Sequence, residues 1–130
     1  MLAESPSDAV ARADAAFNHG DLDLMLAYYE EDAVMVYQVG RLVRGKAALR
    51  EALQGLLPMN PTAAHEVSHV VESGDLALWT SQWTVRGTGP DGSPIVRTGR
   101  GCVVFRKGMD GGWRVAIENP WGGSVLDRTW

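Results

Sequence analysis

The apolar residues of this chain change their spacing once along its length, and that change limits the folds open to it. Up to residue 33 they recur every three or four positions. Beyond residue 63 they fall in long stretches that alternate with polar residues and are separated by glycine-containing turns. The first pattern is that of helices with one buried face, and the second is that of half-buried strands.

Ser5-Pro6-Ser7-Asp8 reads as a helix start, with Ser5 as cap, Pro6 at the first helical position and an acid three residues after the cap. Val10, Ala13 and Phe17 then share a face, and Gly20 stops the helix. Asp21 caps a second helix in which Leu22, Met25, Leu26 and Tyr29 lie together. From Ala33 the period becomes two, with Val34 and Val36 alternating with Met35 and Tyr37 in a short strand. Gly40 and Gly45 bracket a turn, Lys46 to Gly55 reads as a third helix, and Leu57-Pro58-Met59-Asn60-Pro61 is a loop.

Strands are expected at Ala64–Glu72, Leu76–Arg86, Ile95–Lys107 and Trp113–Asn119. The turns between them lie at Ser73-Gly74-Asp75, Gly89-Pro90-Asp91-Gly92 and Gly108–Gly112. Short connections make an antiparallel meander. Helices first and strands later give an α+β domain whose helices cover one face of the sheet, and 130 residues fit one such domain over 1–130.

Charge and cysteine content exclude several partners. The net charge is −4 and no basic stripe is present, which argues against nucleic acid. No apolar run approaches the roughly 20 residues that span a bilayer, so no membrane is expected. A single cysteine, Cys102, rules out an intrachain disulfide, and the residues up to Asp8 lack a basic start followed by an apolar run. A cytoplasmic protein is therefore expected.

Two stretches resemble a known group. Gly20-Asp21-Leu22, Tyr29-Glu30-Glu31-Asp32-Ala33-Val34 and Gly45-Lys46-Ala47-Ala48-Leu49 resemble the signature of ketosteroid-isomerase and SnoaL-like polyketide-cyclase relatives. Gly74-Asp75-Leu76-Ala77, Gly111-Gly112-Trp113-Arg114-Val115 and Glu118-Asn119-Pro120-Trp121 are similar to the SnoaL-like group of the nuclear-transport-factor-two superfamily. The resemblance implies a cone: three N-terminal helices in the concave face of a strongly bent, mostly antiparallel sheet. It also implies a pocket between them and a homodimer through the convex face. Gly87, Gly89, Gly99 and Gly101, in or beside long strands, suit the bending or close approach such a sheet needs.

The isomerase's catalytic set does not carry over. Its base falls at Tyr37, its oxyanion tyrosine at Ala13, and the strand around Gly101 holds no acid for its protonated aspartate. The pocket frame implied by the resemblance is Phe17, Tyr29, Met35, Tyr37, Leu78, Gln82, Ile117, Asn119 and Trp121. Tyr37 is the leading catalytic candidate, either a pocket hydroxyl aimed at a ligand oxygen or a strand tyrosine with its hydroxyl at the rim. Asn119 either bonds a ligand at the mouth or ties down the end of the last strand. Leu78, Thr80 and Gln82 are placed inward. The opposite register would bring in Trp79 and Trp83, and with them Glu118 or a histidine as titratable groups.

His65 and His69 fall on one face with Val67 and Val71. No third ligand has recognisable spacing, so no metal is expected and both are read as convex-face histidines. Arg97 shares a face with Gly99 and Gly101 and either meets an anionic ligand at the rim or forms a surface salt bridge. Trp79, Trp83 and Val85, placed outward, would be covered by a second copy in a homodimer. The expected function is a pocket for a small apolar molecule, without cofactor; whether it also catalyses an isomerase-, cyclase- or dehydratase-type reaction is left open by the sequence. The alternative is a non-catalytic ligand-binding or association module.

Overall fold

The structure is a computed structural model that describes residues 2–127. Helix α1 spans Pro6–Asn18, and Ser5 Oγ accepts from the Asp8 N–H at 3.0 Å, so the cap forms where the sequence puts it. Gly20 then takes φ +76°, which favours glycine and turns the chain into α2, Leu22–Leu26, capped by Asp21.

Strand β1 runs Tyr29–Gln38, four residues longer at its start than expected. Tyr29 is therefore the first strand residue, not the last of a helical face. Its pairing with Val115 overrides the helical spacing that links it to Met25. A short β2, Arg41–Arg44, folds back across Gly40 where the sequence suggests only a turn. Helix α3, Lys46–Gln54, precedes a 3-10 turn at Leu57–Met59. The long strands follow: β3 Thr62–Ser73, β4 Leu76–Thr88, β5 Pro94–Lys107 and β6 Trp113–Asn119. A 3-10 segment, Gly122–Asp127, completes the described chain.

The six strands form one sheet in the order β2-β1-β6-β5-β4-β3. All neighbours are antiparallel except β1 and β6, which are parallel. Helix α1 touches both β3 and β6, three strand spacings or about 14 Å apart in a flat sheet, so the sheet curls around it. Phe17, Leu26, Tyr29, Trp79, Phe105 and Trp113 pack together between helices and sheet.

Two bulges decide which side chains face inward. Between His65 and Val67 two residues of β3 lie opposite one of β4, and between Val115 and Ile117 two residues of β6 lie opposite one of β5. Each extra residue inverts the alternation beyond it. Tight packing supports the curl at Gly101, where a Cβ would stand 2.6 Å from the Pro120 carbonyl oxygen.

Candidate functional site

A cavity of about 400 Å³ opens between α1 and the concave sheet, within the size range of small-molecule sites. Its walls are mostly apolar, but four titratable side chains among them pair with one another: Asp14 with His65, and Tyr29 with Glu118.

Each of the four is placed by a simple local rule. Asp14 lies four residues after Val10 and three before Phe17, on the face of α1 that meets the cavity. His65 sits just before the β3 bulge and shares its inward face with Ala63, opposite Trp83 and Val85. Glu118 follows the β6 bulge and points inward beside Val103, opposite Met35. Tyr29 opens β1 and is 4% exposed.

Nδ1 of His65 lies 2.6 Å from the Asp14 carboxylate. An ionised Asp14 can only accept, so Nδ1 carries the proton and Nε2 is left as the basic nitrogen. Nε2 has no hydrogen-bond partner among the described residues. The ring meets Trp79 edge-on, with centroids 4.9 Å apart. In the same cavity, the Tyr29 hydroxyl donates to Glu118 Oε1 at 2.5 Å.

Burial raises the Glu118 carboxyl above its ordinary range, and the negative charge of Asp14 pushes the same way. The Tyr29 hydrogen bond and the charge of His65 oppose the shift. Burial also lifts the Tyr29 phenol well above its usual value, aided by the Glu118 charge. Both couples thus sense each other through a poorly solvated space.

The opposite wall is aromatic and fixed. Trp83 Nε1 donates to the Pro120 carbonyl at 2.6 Å, and Trp121 Nε1 donates to the Val36 carbonyl at 3.0 Å. The two rings cross edge-to-face at 5.7 Å. Gly99 makes room for this, since a Cβ there would stand 2.5 Å from the Trp83 ring.

Of the residues expected in the pocket, Phe17, Tyr29, Met35, Tyr37 and Trp121 line the cavity. Tyr37, the leading catalytic candidate, donates its hydroxyl to the Ala52 carbonyl at 3.3 Å, so that hydroxyl is already engaged. Four expected residues are not in the wall. Leu78 is 44% exposed on the convex face, and Gln82 shares that face, because Trp79, Ser81 and Trp83 are the inward residues of β4. Ile117 is 49% exposed and pairs with Val104 on the same outer face, since the β6 bulge inverts the alternation read from Trp113 and Val115. Asn119 follows Ile117 outward and binds the Trp121 N–H and the Gly122 carbonyl, tying down the strand end. The inward Trp79, Trp83 and Val85 also remove the reason for placing them at a dimer contact.

The histidines separate: the β3 bulge leaves His65 inward and turns His69 outward with Val67 and Val71. Among the described residues no group of three or more His, Cys, Asp or Glu could hold a metal. No helix there is long and apolar enough to cross a membrane. Asp14 and Glu118 are legible in the sequence only as acids set among apolar neighbours, a signal that a residue-by-residue transfer of isomerase positions passes over by one place at Ala13.

The profile of the SnoaL-like domain family matches residues 10–116. No match was found among curated proteins. Among solved structures, the chain is similar to a protein of unknown function from Mycobacterium tuberculosis at 23% identity and TM-score 0.77. That match covers 87% of this chain and 66% of the other, so this chain spans just under two-thirds of that relative. It is similar to a ketosteroid isomerase-like protein from Erwinia carotovora atroseptica at 24% identity and TM-score 0.76, covering 87% and 89%. A protein of unknown function with a cystatin-like fold from Nostoc punctiforme aligns at 19% identity and TM-score 0.71, covering 87% and 84%. At these identities the structural likenesses speak for the fold alone.

Proposed function

The chain belongs to the SnoaL-like domain family, and from that premise we propose that it is a proton-transfer enzyme acting on a small, mostly apolar molecule held in the cavity. The observation that supports this reading is that the Asp14–His65 couple and the Tyr29–Glu118 couple line the same cavity. His65 takes a proton at Nε2, and Asp14 fixes the tautomer and stabilises the imidazolium. Glu118, kept protonated to higher pH than a solvated carboxyl, donates to the oxygen or leaving group on the far side of the ligand. The apolar walls keep water from competing for either proton. Isomerisation, ring closure and dehydration all need such a separated base and acid.

The test is hydrogen exchange at an acidic carbon. 2-Tetralone in heavy water, followed by proton NMR, should lose its α-hydrogens faster with the protein than without it, and His65→Gln should remove the acceleration. Binding without any acceleration would favour the non-catalytic ligand-binding reading instead.

We also propose that two copies pair through the convex face, because Val67, Val71, Leu78, Val96 and Ile117 all stand exposed there. Light scattering at micromolar concentration should give twice 14.1 kDa, and a clean monomer would overturn the dimer. The lone, half-buried Cys102 supports a reducing, cytoplasmic setting.

A further inference from the structure

The mouth of the cavity carries a cation that the proton-transfer chemistry does not use. On β5 the cavity-facing residues run Phe105, Val103, Gly101, Gly99, Arg97 in steps of two. Phe105 is fully buried and Arg97 is exposed, so the strand leads from the floor of the cavity to its mouth. Glu118 pairs with Val103, six residues from Arg97, or about 20 Å along an extended strand. Between them the lining is Gly101, Ser81, Trp83 and Pro120, and the one indole N–H in that set is bonded to backbone, while Ile95 lies beyond Arg97.

Among the described residues Arg12, Arg50, Arg106 and Arg114 each hold a carboxylate. Arg97 holds none, and of the described arginines it alone lines the cavity. A ligand entering therefore meets one unneutralised positive charge, then a mostly apolar channel, then the Asp14 carboxylate and the protonated Glu118. An anionic group on that ligand is repelled by Asp14 at the floor and held at the mouth, which fixes the direction in which the molecule lies.

We propose that the cavity selects an amphipathic carboxylic acid: an apolar, ring-bearing body with a carboxylate at the end remote from the reacting atoms. Arg97 grips that carboxylate with its planar guanidinium fork while the body carries the reacting carbon to His65 and Glu118. The proposal rests on the cavity being the ligand site, as argued above, and not on turnover.

Calorimetry with naphthylbutyric acid and its primary amide separates the two ideas. The wild type should bind the acid about fivefold tighter than the amide, the size expected for a partly solvated ion pair. High salt should weaken the acid alone. Arg97→Ala should remove the preference and leave amide binding unchanged, while Arg97→Lys should keep part of it. Equal binding of acid and amide to the wild type, or a preference that survives Arg97→Ala, overturns the role of Arg97 and leaves the cavity reading standing. Binding of neither compound overturns both.

Discussion

The two ends of the wall built by β4 hold their polar groups in different ways. At the aromatic end the ring N–H and O–H groups go to backbone carbonyls: Trp83 to Pro120, Trp121 to Val36 and Tyr37 to Ala52. Backbone acceptors do not titrate, so these bonds set shape and nothing else. At the polar end the partners are side chains, Asp14 with His65 and Tyr29 with Glu118. Each couple keeps a nitrogen or oxygen free and can change protonation state. Trp79 and Trp83 mark the boundary. They are inward residues of the same strand, but the Trp79 indole N–H is buried without a partner among the described residues, beside the His65 ring. The proposed proton transfer therefore falls at the end where hydrogen bonds are not closed off by the main chain.

The sharpest way to break this contrast is to remove the base. His65→Gln keeps the size and a polar tip but cannot take a proton. Exchange of the tetralone hydrogens should fall by about 10²–10⁴-fold, with the melting temperature little changed. An unchanged rate would move the chemistry away from the polar end.

Next in size is a challenge to the aromatic end. Gly101→Ala drives a Cβ against the Pro120 carbonyl, which a rigid strand end cannot easily move. It should destabilise the fold by about 1–3 kcal/mol in denaturant unfolding, as overpacked sites do. It should also loosen Trp83, whose acceptor is that same carbonyl. A variant as stable as the wild type would show the end to be more pliant than these contacts imply.

The same contrast governs how much of the molecule is legible in its sequence. The α1 cap, the glycine stop and the four long strands follow from local chemistry, and all lie within a few residues of the expected places. The inward faces of β3 and β6 do not, because bulges at Glu66 and Ala116 leave no signature in a chain read at period two. On β4 there is no bulge, but Leu78 and Trp79 are both large and apolar, so alternation alone cannot say which turns inward. Met35, Phe17 and Trp121 are reached through resemblance to the fold. His65 and Glu118 need the register of a neighbouring strand, which is tertiary information.

A subtler test concerns pH. Glu118 is raised in the folded state, so its contribution to stability is full below the ordinary carboxylate range and is lost as pH rises through the folded value. Melts between roughly pH 4 and pH 8 should show a decline that is absent in Glu118→Gln. The Tyr29 hydrogen bond pulls Glu118 down, so Tyr29→Phe should carry the decline to higher pH, and the falling limb of exchange activity with it. A limb that moved to lower pH would reverse the assigned role of that bond.

Tyr37→Phe should have the smallest effect, and its value lies in what it leaves alone. Tyr37, like Tyr29, lines the cavity and donates its hydroxyl to a single acceptor. That acceptor, however, is the Ala52 carbonyl at 3.3 Å, a long bond to a group that cannot ionise. Removing the hydroxyl should therefore cost stability at the low end of the 0.5–1.5 kcal/mol range for a neutral hydrogen bond, about 0.5 kcal/mol in denaturant unfolding. Ligand affinity and the pH limb should stay where they are in the wild type, because no proton of the reaction passes through that oxygen. Tyr29→Phe moves the limb and Tyr37→Phe does not, although each removes one hydroxyl from the same cavity. If Tyr37→Phe moved the limb as Tyr29→Phe does, the main-chain bond would be breaking when ligand binds, and the aromatic end would share in the chemistry.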